Sequence, residues 1–370
     1  MHPNSPFSVS SFCEKIRICE NQRRNIRKVD QQRYSRQILF APIGEEGQKK
    51  LSQARVAVVG MGALGTALSN HMARAGVKFL RLIDRDFVEA SNLQRQMLYD
   101  ETDARQHLPK VIAAKNKLQA IRSDLELEAH IADLTWRNAE ELLSDVDLIL
   151  DGTDNFQVRY LINDLSIKHQ IPWIYGGVVG SRGMSFTIRP GKTPCLRCIF
   201  PETPAPGAAE TCDTAGVIGP AVQVITAFQG AEAIKLLTGN EEACETHLRH
   251  IDLWSNHFQS LDVSHQKDED CPACGRKQWD FLHPARKGPQ EVSMCGRQSV
   301  QITLSQPLDL DILESRLQKV GKTNRNPFLL KADLSEDGHE LAIFPDGRIL
   351  VQGTTDIQTA KAVVARYVGI

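Results

Sequence analysis

Four cysteines occur in two pairs whose spacing suits a metal ion. The pairs are Cys195–Cys198 and Cys271–Cys274, each with two residues between the thiols. Two such hooks supply four sulfur ligands, the set that closes a tetrahedral structural Zn²⁺ site with no open catalytic position. Two disulfides or free thiols are the alternatives, and the odd total of nine cysteines disfavours a disulfide framework. We therefore predict a zinc site that pins the C-terminal part of its domain to the middle.

A glycine-rich segment has the spacing of a phosphate-binding turn. Gly60, Gly62 and Gly65 follow a short apolar run and precede a helical pattern. Glycines let such a turn tighten and approach a phosphate, and the helix N-terminus adds unpaired N–H groups. Asp84 ends the next apolar run, where a carboxylate would meet a ribose hydroxyl. These residues predict a nucleotide site rather than a turn without a ligand, and by themselves they also fit an NAD-linked oxidoreductase.

Polar and cationic side chains beyond Asp84 favour a nucleoside triphosphate. Asn92 and Arg95 lie in one polar segment, and Lys110 follows it. A hydride-transfer site needs no such cations, whereas three phosphates and a leaving pyrophosphate need them. Asp154, after another apolar run, has the chemistry to hold Mg²⁺. Taken singly, the two cations are better explained as solvated surface charges, but together with the glycine turn they predict triphosphate chemistry.

Short apolar runs alternate with helical patterns through residues 31–280, which we predict to be one domain. This alternation is typical of βαβ units and predicts an α/β fold: a Rossmann-like, doubly wound, mostly parallel sheet covered on both faces. A helical period over residues 217–237 predicts a long helix that stops at Gly239. The predicted strands cover residues 55–59, 79–84, 125–131, 146–150 and 171–175.

Three further segments differ from that domain. Residues 1–30 carry six Lys and Arg side chains without an apolar period, and we predict a flexible tail. Residues 281–290 are rich in Pro, Gly and basic residues, which indicates a linker. Residues 291–370 have the pattern strand, helix, strand, hairpin, helix. We predict that they form a small α+β module, whose role the pattern does not indicate.

Four histidines lie near one another in sequence, but their spacing fits no common ligand pattern. They are His247, His250, His257 and His265, and we predict that a surface strand pair accounts for them. Met184 and Trp254 are most simply interpreted as core residues.

The overall composition excludes several classes of function. The 370 residues include 44 Lys and Arg against 45 Asp and Glu, so the net charge of -1 argues against binding to nucleic acid or an acidic membrane surface. No apolar run reaches the roughly 18 residues of a membrane helix. The first residues lack the apolar segment of a secretory signal. We therefore expect a cytoplasmic protein.

The combined motifs resemble those of the ThiF/MoeB/HesA family, the bacterial relatives of ubiquitin-activating enzymes. The resemblance implies a homodimeric adenylyltransferase that binds ATP and Mg²⁺. It also implies a structural Zn²⁺ and activation of the C-terminal glycine of a ubiquitin-like sulfur-carrier protein that ends in Gly-Gly. The matching segments are residues 33–37, the glycine turn at 60–65, Asp84, residues 91–95, Lys110 and residues 151–155.

The resemblance also implies a role for each residue of the site. Ala63 stands where many relatives have a further glycine, and its small side chain leaves nucleotide binding as the expectation. By resemblance, Asp84 binds the ribose, Asn92 and Arg95 the phosphates, Lys110 the triphosphate and Asp154 the metal, with Asn155 in the same nucleotide site, while Arg36 reaches into the partner subunit's site.

Cys212 lies in a loop of small residues before the long helix. Its residue context fits either an incidental free thiol or one whose pKa a helix N-terminus lowers. By resemblance it matches a loop cysteine that the thiamine-thiazole (ThiF) branch uses in sulfur transfer, which implies a desulfurase as sulfur donor. Residues 171–177 and 191–198 also look most like that branch. The alternatives are the molybdopterin branch, an NAD-binding oxidoreductase, and a non-catalytic scaffold that binds a ubiquitin-like tail.

Overall fold

The strand Arg55–Val59, the glycine turn and the helix Ala63–Ala75 form the first βα unit of the fold, as predicted. The structure is a computed structural model. It describes residues 32–202, 212–284, 292–294, 299–304, 306–334 and 337–369. The predicted tail (residues 1–30) and residues 285–290 of the predicted linker lie outside the described residues, as does the side chain of Cys212.

Eight strands form the larger sheet. They are β1 Arg55–Val59, β2 Phe79–Asp84, β3 Glu126–Ile131, β4 Leu148–Asp151, β5 Trp173–Val179, β6 Arg182–Ile188, β7 Leu248–Asp252 and β8 His257–Leu261. Their order is β3-β2-β1-β4-β5-β6-β7-β8. The first five pair in parallel, which confirms the predicted Rossmann-like sheet. The last three are antiparallel.

The strand β6 was not predicted, although a turn signal precedes it. Gly180 and Ser181 alone separate β5 from β6, and Gly180 has a positive φ of 63°. A two-residue turn with glycine at its first position joins antiparallel strands. The antiparallel part of the sheet therefore begins at a two-residue turn. The turn is easily missed in a sequence whose preceding segments alternate between strand and helix.

Helices cover both faces of this sheet. Leu68, Val111 and Val222 pack on one face, and Leu142 and Tyr160 pack on the other. The predicted long helix is confirmed, and Gly239 ends it with a φ of 85°. No helix within the described residues is long and apolar enough to span a membrane. The helices are α1 Ser35–Ile38, α2 Gly44–Leu51, α3 Ala63–Ala75, α4 Glu101–Arg105, α5 Lys110–Ile121, α6 Ala139–Leu143, α7 Phe156–His169, α8 Leu196–Ile199, α9 Cys212–Ala215 and α10 Gly219–Thr238.

The C-terminal residues form the predicted small α+β module. Its strands are β9 Val292–Met294, β10 Ser299–Thr303, β11 Lys322–Arg325, β12 Leu330–Leu334, β13 His339–Ile343 and β14 Arg348–Gln352, and its helices are α11 Leu310–Leu317 and α12 Ile357–Tyr367. The sheet is antiparallel, in the order β11-β12-β13-β14-β10-β9. Leu341 and Ile343 pack in one cluster with α11 and α12, whereas Ala342 and Phe344 point to the other face and contact Phe87 of the larger domain. The module thus buries both faces of its sheet.

The β7–β8 hairpin carries two of the clustered histidines. The rings of His250 and His257 lie 6.1 Å apart on adjacent strands, which confirms the predicted strand pair. The prediction that Trp254 is a core residue is wrong, because its side chain lies in the hairpin turn and is 82% exposed. The turn is formed by Asp252, whose carboxylate accepts a hydrogen bond from Trp254 N, and by Asn256 with a φ of 54°. Met184 packs partly buried against the core.

Candidate nucleotide site and cysteine cluster

Three glycines bring the loops after β1 and β4 into backbone contact. A Cβ at Gly65 would overlap the carbonyl oxygen of Gly60, and a Cβ at Gly60, where φ is 85°, would lie 2.7 Å from Gly152 O. Since β1 and β4 are neighbours at the point where the strand order reverses, these loops border the crevice in which such sheets bind ligands. Gly62, in contrast, caps α3 and is open to a side chain, with its nearest neighbour 3.9 Å from a Cβ.

Asp84 lies at the end of β2 beside this turn. Its carboxylate accepts hydrogen bonds from Met61 N at 2.6 Å and from Asp86 N at 2.7 Å. Burial raises the pKa of Asp84, and the nearby charge of Lys110 acts in the opposite direction. The acid is thus held against the glycine turn, where the sequence predicts contact with a ribose.

Lys110 is a buried cation rather than a solvated one. Only 3% of the residue is exposed, and its Nζ lies 3.1 Å from the Asp86 carboxylate, which is also buried. Tyr99 donates its hydroxyl to Met61 O at 2.7 Å and lies 3.1 Å from Lys110 O, which joins the glycine turn to the start of α5. Lys110 is thus paired with Asp86, and its charge also acts on Asp84 beside the glycine turn.

Asn92 and Arg95 lie on the loop between β2 and α4. Asn92 is 2% exposed, and its amide oxygen accepts a hydrogen bond from Glu89 N at 3.2 Å. Arg95 is partly exposed and donates to Ser91 O at 2.8 Å, which leaves other guanidinium N–H groups for a ligand. Asn92 therefore stabilises the loop that carries Arg95.

The two acidic residues at the end of β4 and in the loop after it have different environments. Asp151 is fully buried and accepts a hydrogen bond from Arg159 Nε at 2.9 Å. Asp154 is exposed and interacts electrostatically with Arg159 and Arg85. Asn155 caps α7, because its side chain accepts hydrogen bonds from two backbone N–H groups of the first turn. Of these two acids, Asp154 is the one whose carboxylate is open to a ligand, and a carboxylate is the ligand chemistry that Mg²⁺ prefers.

Arg36 lies far from the glycine turn of its own chain. The neighbouring Gln37 donates to Ala75 O, at the C-terminal end of α3. The glycine turn lies at the other end of this 13-residue helix, a length of about 20 Å. The exposed Arg36 is therefore not part of the site that its own chain forms.

The four predicted metal ligands meet in space. Cys195, Cys198, Cys271 and Cys274 place their sulfur atoms within 4.8 Å of one another. Three of the sulfur pairs lie 3.4–3.8 Å apart, and the edge of a tetrahedron with Zn–S bonds of about 2.3 Å measures about 3.8 Å. No disulfide joins them, and contact with Cys195 lowers the pKa of the Cys271 thiol. The residues fit Zn²⁺, and the cluster joins the end of β6 to the segment beyond β8.

The backbone of Cys212 begins α9, which lies beside β5. Beyond α9, Gly180 N donates to Gly216 O at 2.8 Å, so the start of α10 is tied to the β5–β6 turn. Gly216, just beyond α9, therefore lies at the same edge of the sheet as the glycine turn, but the described residues do not include the side chain of Cys212.

The matching family model, described as the ThiF family, covers residues 34–273. The chain belongs to the ThiF family. It is 44% identical over 340 residues to the "Sulfur carrier protein ThiS adenylyltransferase" of Bacillus subtilis, a match that covers 91% of this chain and 99% of that protein. It is 37% identical to the "Sulfur carrier protein adenylyltransferase" of Thermus thermophilus, over 67% of this chain and 92% of that one.

Solved structures agree with the fold of this ThiF-family chain. E. coli MccB with ATP superposes with a TM-score of 0.57 at 22% identity, over 66% of this chain and 74% of that one. PaaA superposes with a TM-score of 0.54 at 23% identity, over 63% and 82% of the two chains. At this identity the likeness concerns the fold alone.

Two charged residues of the site were missed from the sequence. Asp86 pairs with Lys110, and Arg85 donates to the Asp133 carboxylate at 2.7 Å beyond β3. The run Asp84-Arg85-Asp86 at the end of a predicted strand was a visible signal. The partners of this run, Lys110 and Asp133, are distant in sequence, so the pairing itself could not be predicted.

Proposed function

We propose that this chain is an ATP-dependent adenylyltransferase that activates the C-terminal glycine carboxylate of a ThiS-like sulfur-carrier protein for thiamine thiazole synthesis. The observation that carries the proposal is the 44% identity to a ThiS adenylyltransferase over nearly the whole of both chains. The site supports it, because a glycine turn, a carboxylate and a buried lysine lie together at the crevice.

In this reaction the terminal carboxylate of the carrier attacks the α-phosphorus of ATP, and pyrophosphate leaves. Because the attacking group is already an anion, no side chain is needed as a base. Asp84 would bind the ribose, and Asn92, Arg95 and Lys110 would hold and neutralise the phosphates. Asp154 would hold Mg²⁺, which supplies charge neutralisation to the phosphate oxygens when bound. In a homodimer, Arg36 of each subunit would complete the partner's site.

We assign two different tasks to the cysteines. Cys195, Cys198, Cys271 and Cys274 would bind Zn²⁺ as a structural site, and Cys212 would act after adenylation, in sulfur transfer. A desulfurase would supply the sulfur, and the reaction would take place in the cytoplasm. The four-thiol cluster lies at the far end of β6 from the β5–β6 turn, which supports its structural task.

The degree of identity favours the thiazole branch. The match to the Bacillus protein is 44% identical over 91% of this chain, whereas a match to the mosquito "Adenylyltransferase and sulfurtransferase MOCS3" is 38% identical over 65% of this chain. A molybdopterin-synthase carrier is the second candidate, since such two-activity relatives share the adenylation domain. Membership of the ThiF family disfavours the NAD-linked oxidoreductase and the non-catalytic scaffold.

Exchange of labelled pyrophosphate into ATP tests the proposal. The full chain would be incubated with ATP, Mg²⁺ and a ThiS-type carrier, a molybdopterin-synthase carrier, or the ThiS-type carrier without its last glycine. We expect exchange with the intact ThiS-type carrier and none with the shortened one. Exchange with the molybdopterin carrier alone would move the chain to that branch, and no exchange with either carrier would refute adenylation.

A further inference from the structure

The C-terminal module is docked beside the proposed ribose acid. Phe87, three residues beyond Asp84, is 4% exposed because Ala342, Phe344 and Leu350 of the module surround it. The sheet face that contacts Phe87 is the one opposite α11 and α12. The loop after β2 is therefore buried by the module on one side and borders the crevice on the other.

Arg348 of the module ties two loops of the nucleotide domain together. Its guanidinium donates to Arg85 O at 3.3 Å and to Ile131 O at 3.0 Å, at the ends of β2 and β3. Asp346 holds the same guanidinium through Nε at 2.7 Å. Because the guanidinium is a rigid fork, one side chain sets the spacing of both loops.

The buried amide of Gln301 connects the module, through Asp133, to the side chain of Arg85 at the crevice. Gln301 is 3% exposed and donates to Asp133 at 2.6 Å, while the other oxygen of Asp133 accepts from Arg85 at 2.7 Å. The amide oxygen of Gln301 is buried with no partner among the described residues. A buried acceptor left unpaired costs roughly 1–3 kcal/mol, so an apolar residue would serve docking better. The presence of Gln301 points instead to its donor group, which orients Asp133 and through it Arg85.

Arg85 is placed to meet the nucleotide. It follows Asp84 directly, its side chain is 22% exposed, and it interacts electrostatically with Asp154 across the crevice. In folds of this kind, the acidic residue at the end of β2 binds the ribose, so the adenosine lies on this side of the crevice. We propose that Arg85 contacts the adenosine part of the nucleotide and that the module is a positioning element of the nucleotide site, acting through Gln301 and Arg348. This inference rests on the proposed ATP site.

The test is nucleotide affinity in the full chain, measured by equilibrium titration without a carrier. We expect Gln301→Leu and Arg85→Gln each to weaken ATP binding by roughly three- to tenfold, the usual size of coupling between contacting residues. In the Arg85→Gln background, Gln301→Leu should add no further loss. The loss should be of equal size for AMP, because AMP keeps the adenosine. Gln358→Leu, the same change at an exposed position of α12 in the module, is the matched control and should bind ATP as the unaltered chain does.

Three outcomes would overturn the inference: unchanged ATP affinity in Gln301→Leu, additive losses in the double variant, or a loss for ATP without a loss for AMP. If Gln301→Leu folds poorly by its melting curve, Arg348→Lys replaces it, since lysine keeps the charge but lacks the fork that binds both carbonyls. Failure of the unaltered chain to bind ATP would refute the proposed function and is distinguishable from all of these results.

Discussion

Two aspartates, one at the end of β4 and one just beyond it, should respond differently to the same substitution. Asp151 is fully buried and accepts hydrogen bonds from Thr153 N at 2.9 Å and from Arg159 Nε at 2.9 Å. Asp154, three residues later, is exposed. Asparagine preserves the size of both side chains and removes one negative charge, so the pair separates structural from ligand-binding carboxylates.

The expected change in the free energy of unfolding follows from the burial of each side chain. Asp151→Asn leaves the Arg159 guanidinium, which is 5% exposed, without its counterion. Breaking a buried ion pair in this way costs about 3–5 kcal/mol. At about 2–4 °C per kcal/mol, the range for domains of about 150–250 residues, the melting temperature of the larger domain should fall by about 6–20 °C. Asp154→Asn should change the free energy of unfolding by less than about 0.5 kcal/mol, as expected for an exposed site, and should abolish carrier-dependent pyrophosphate exchange.

Thermal unfolding and pyrophosphate exchange, measured on the same samples, check both halves of this prediction. Exchange that survives Asp154→Asn would refute the assignment of that carboxylate to Mg²⁺. A melting temperature for Asp151→Asn close to that of the unaltered chain would refute the claim that the buried ion pair with Arg159 stabilises the fold.

Five further substitutions test other parts of the structure. Gly65→Ala should lower the melting temperature, because its Cβ overlaps a backbone carbonyl, whereas Gly62→Ala should melt normally because that position is open. Cys271→Ser should remove bound zinc, measured by metal analysis of the purified protein, and lower the melting temperature. Cys212→Ser should leave pyrophosphate exchange intact and abolish sulfur transfer to the carrier. Burial raises the pKa of Asp164 from 3.8 to about 7, so the native state holds a proton that the unfolded chain releases. The free energy of unfolding should therefore fall as the pH rises from about 4 through 7, and Asp164→Asn should remove that fall in denaturant titrations at several pH values.

Local signals made the glycine turn and the cysteine site predictable. The strand before Gly60 and the helix after Gly62 follow from a short apolar run, a glycine spacing and a helical period, all within 21 residues of sequence. The cysteine pairs were predictable because zinc ligands are spaced by two residues in each pair, and few other roles of cysteine require that spacing. The cluster of four thiols confirms that the two hooks meet.

Contacts between distant residues could not be predicted in the same way. Asp133 accepts hydrogen bonds from Arg85 and Gln301, which are 48 and 168 residues away. The module had a recognisable pattern of strands and helices, but nothing in that pattern indicates that Phe344 meets Phe87. The prediction that Trp254 is a core residue failed for a different reason. The residues around it show no helical or strand period, and an apolar side chain in such a segment can lie in a turn as readily as in a core.

Helix α7 links the cysteine cluster to the nucleotide site. It begins at Phe156, just after Asp154. Two side chains in the middle of the helix bind the backbone of the segments that carry and follow the cysteines. Asn163 accepts a hydrogen bond from Leu196 N at 2.8 Å, and Asp164 accepts one from Phe281 N at 3.0 Å. The four-cysteine cluster, the proposed structural metal site, is thus hydrogen-bonded through its flanking segments to the helix whose first turn follows the proposed Mg²⁺ ligand. Because a packed helix moves as a unit, loss of the metal should lower stability and ATP affinity together, not stability alone.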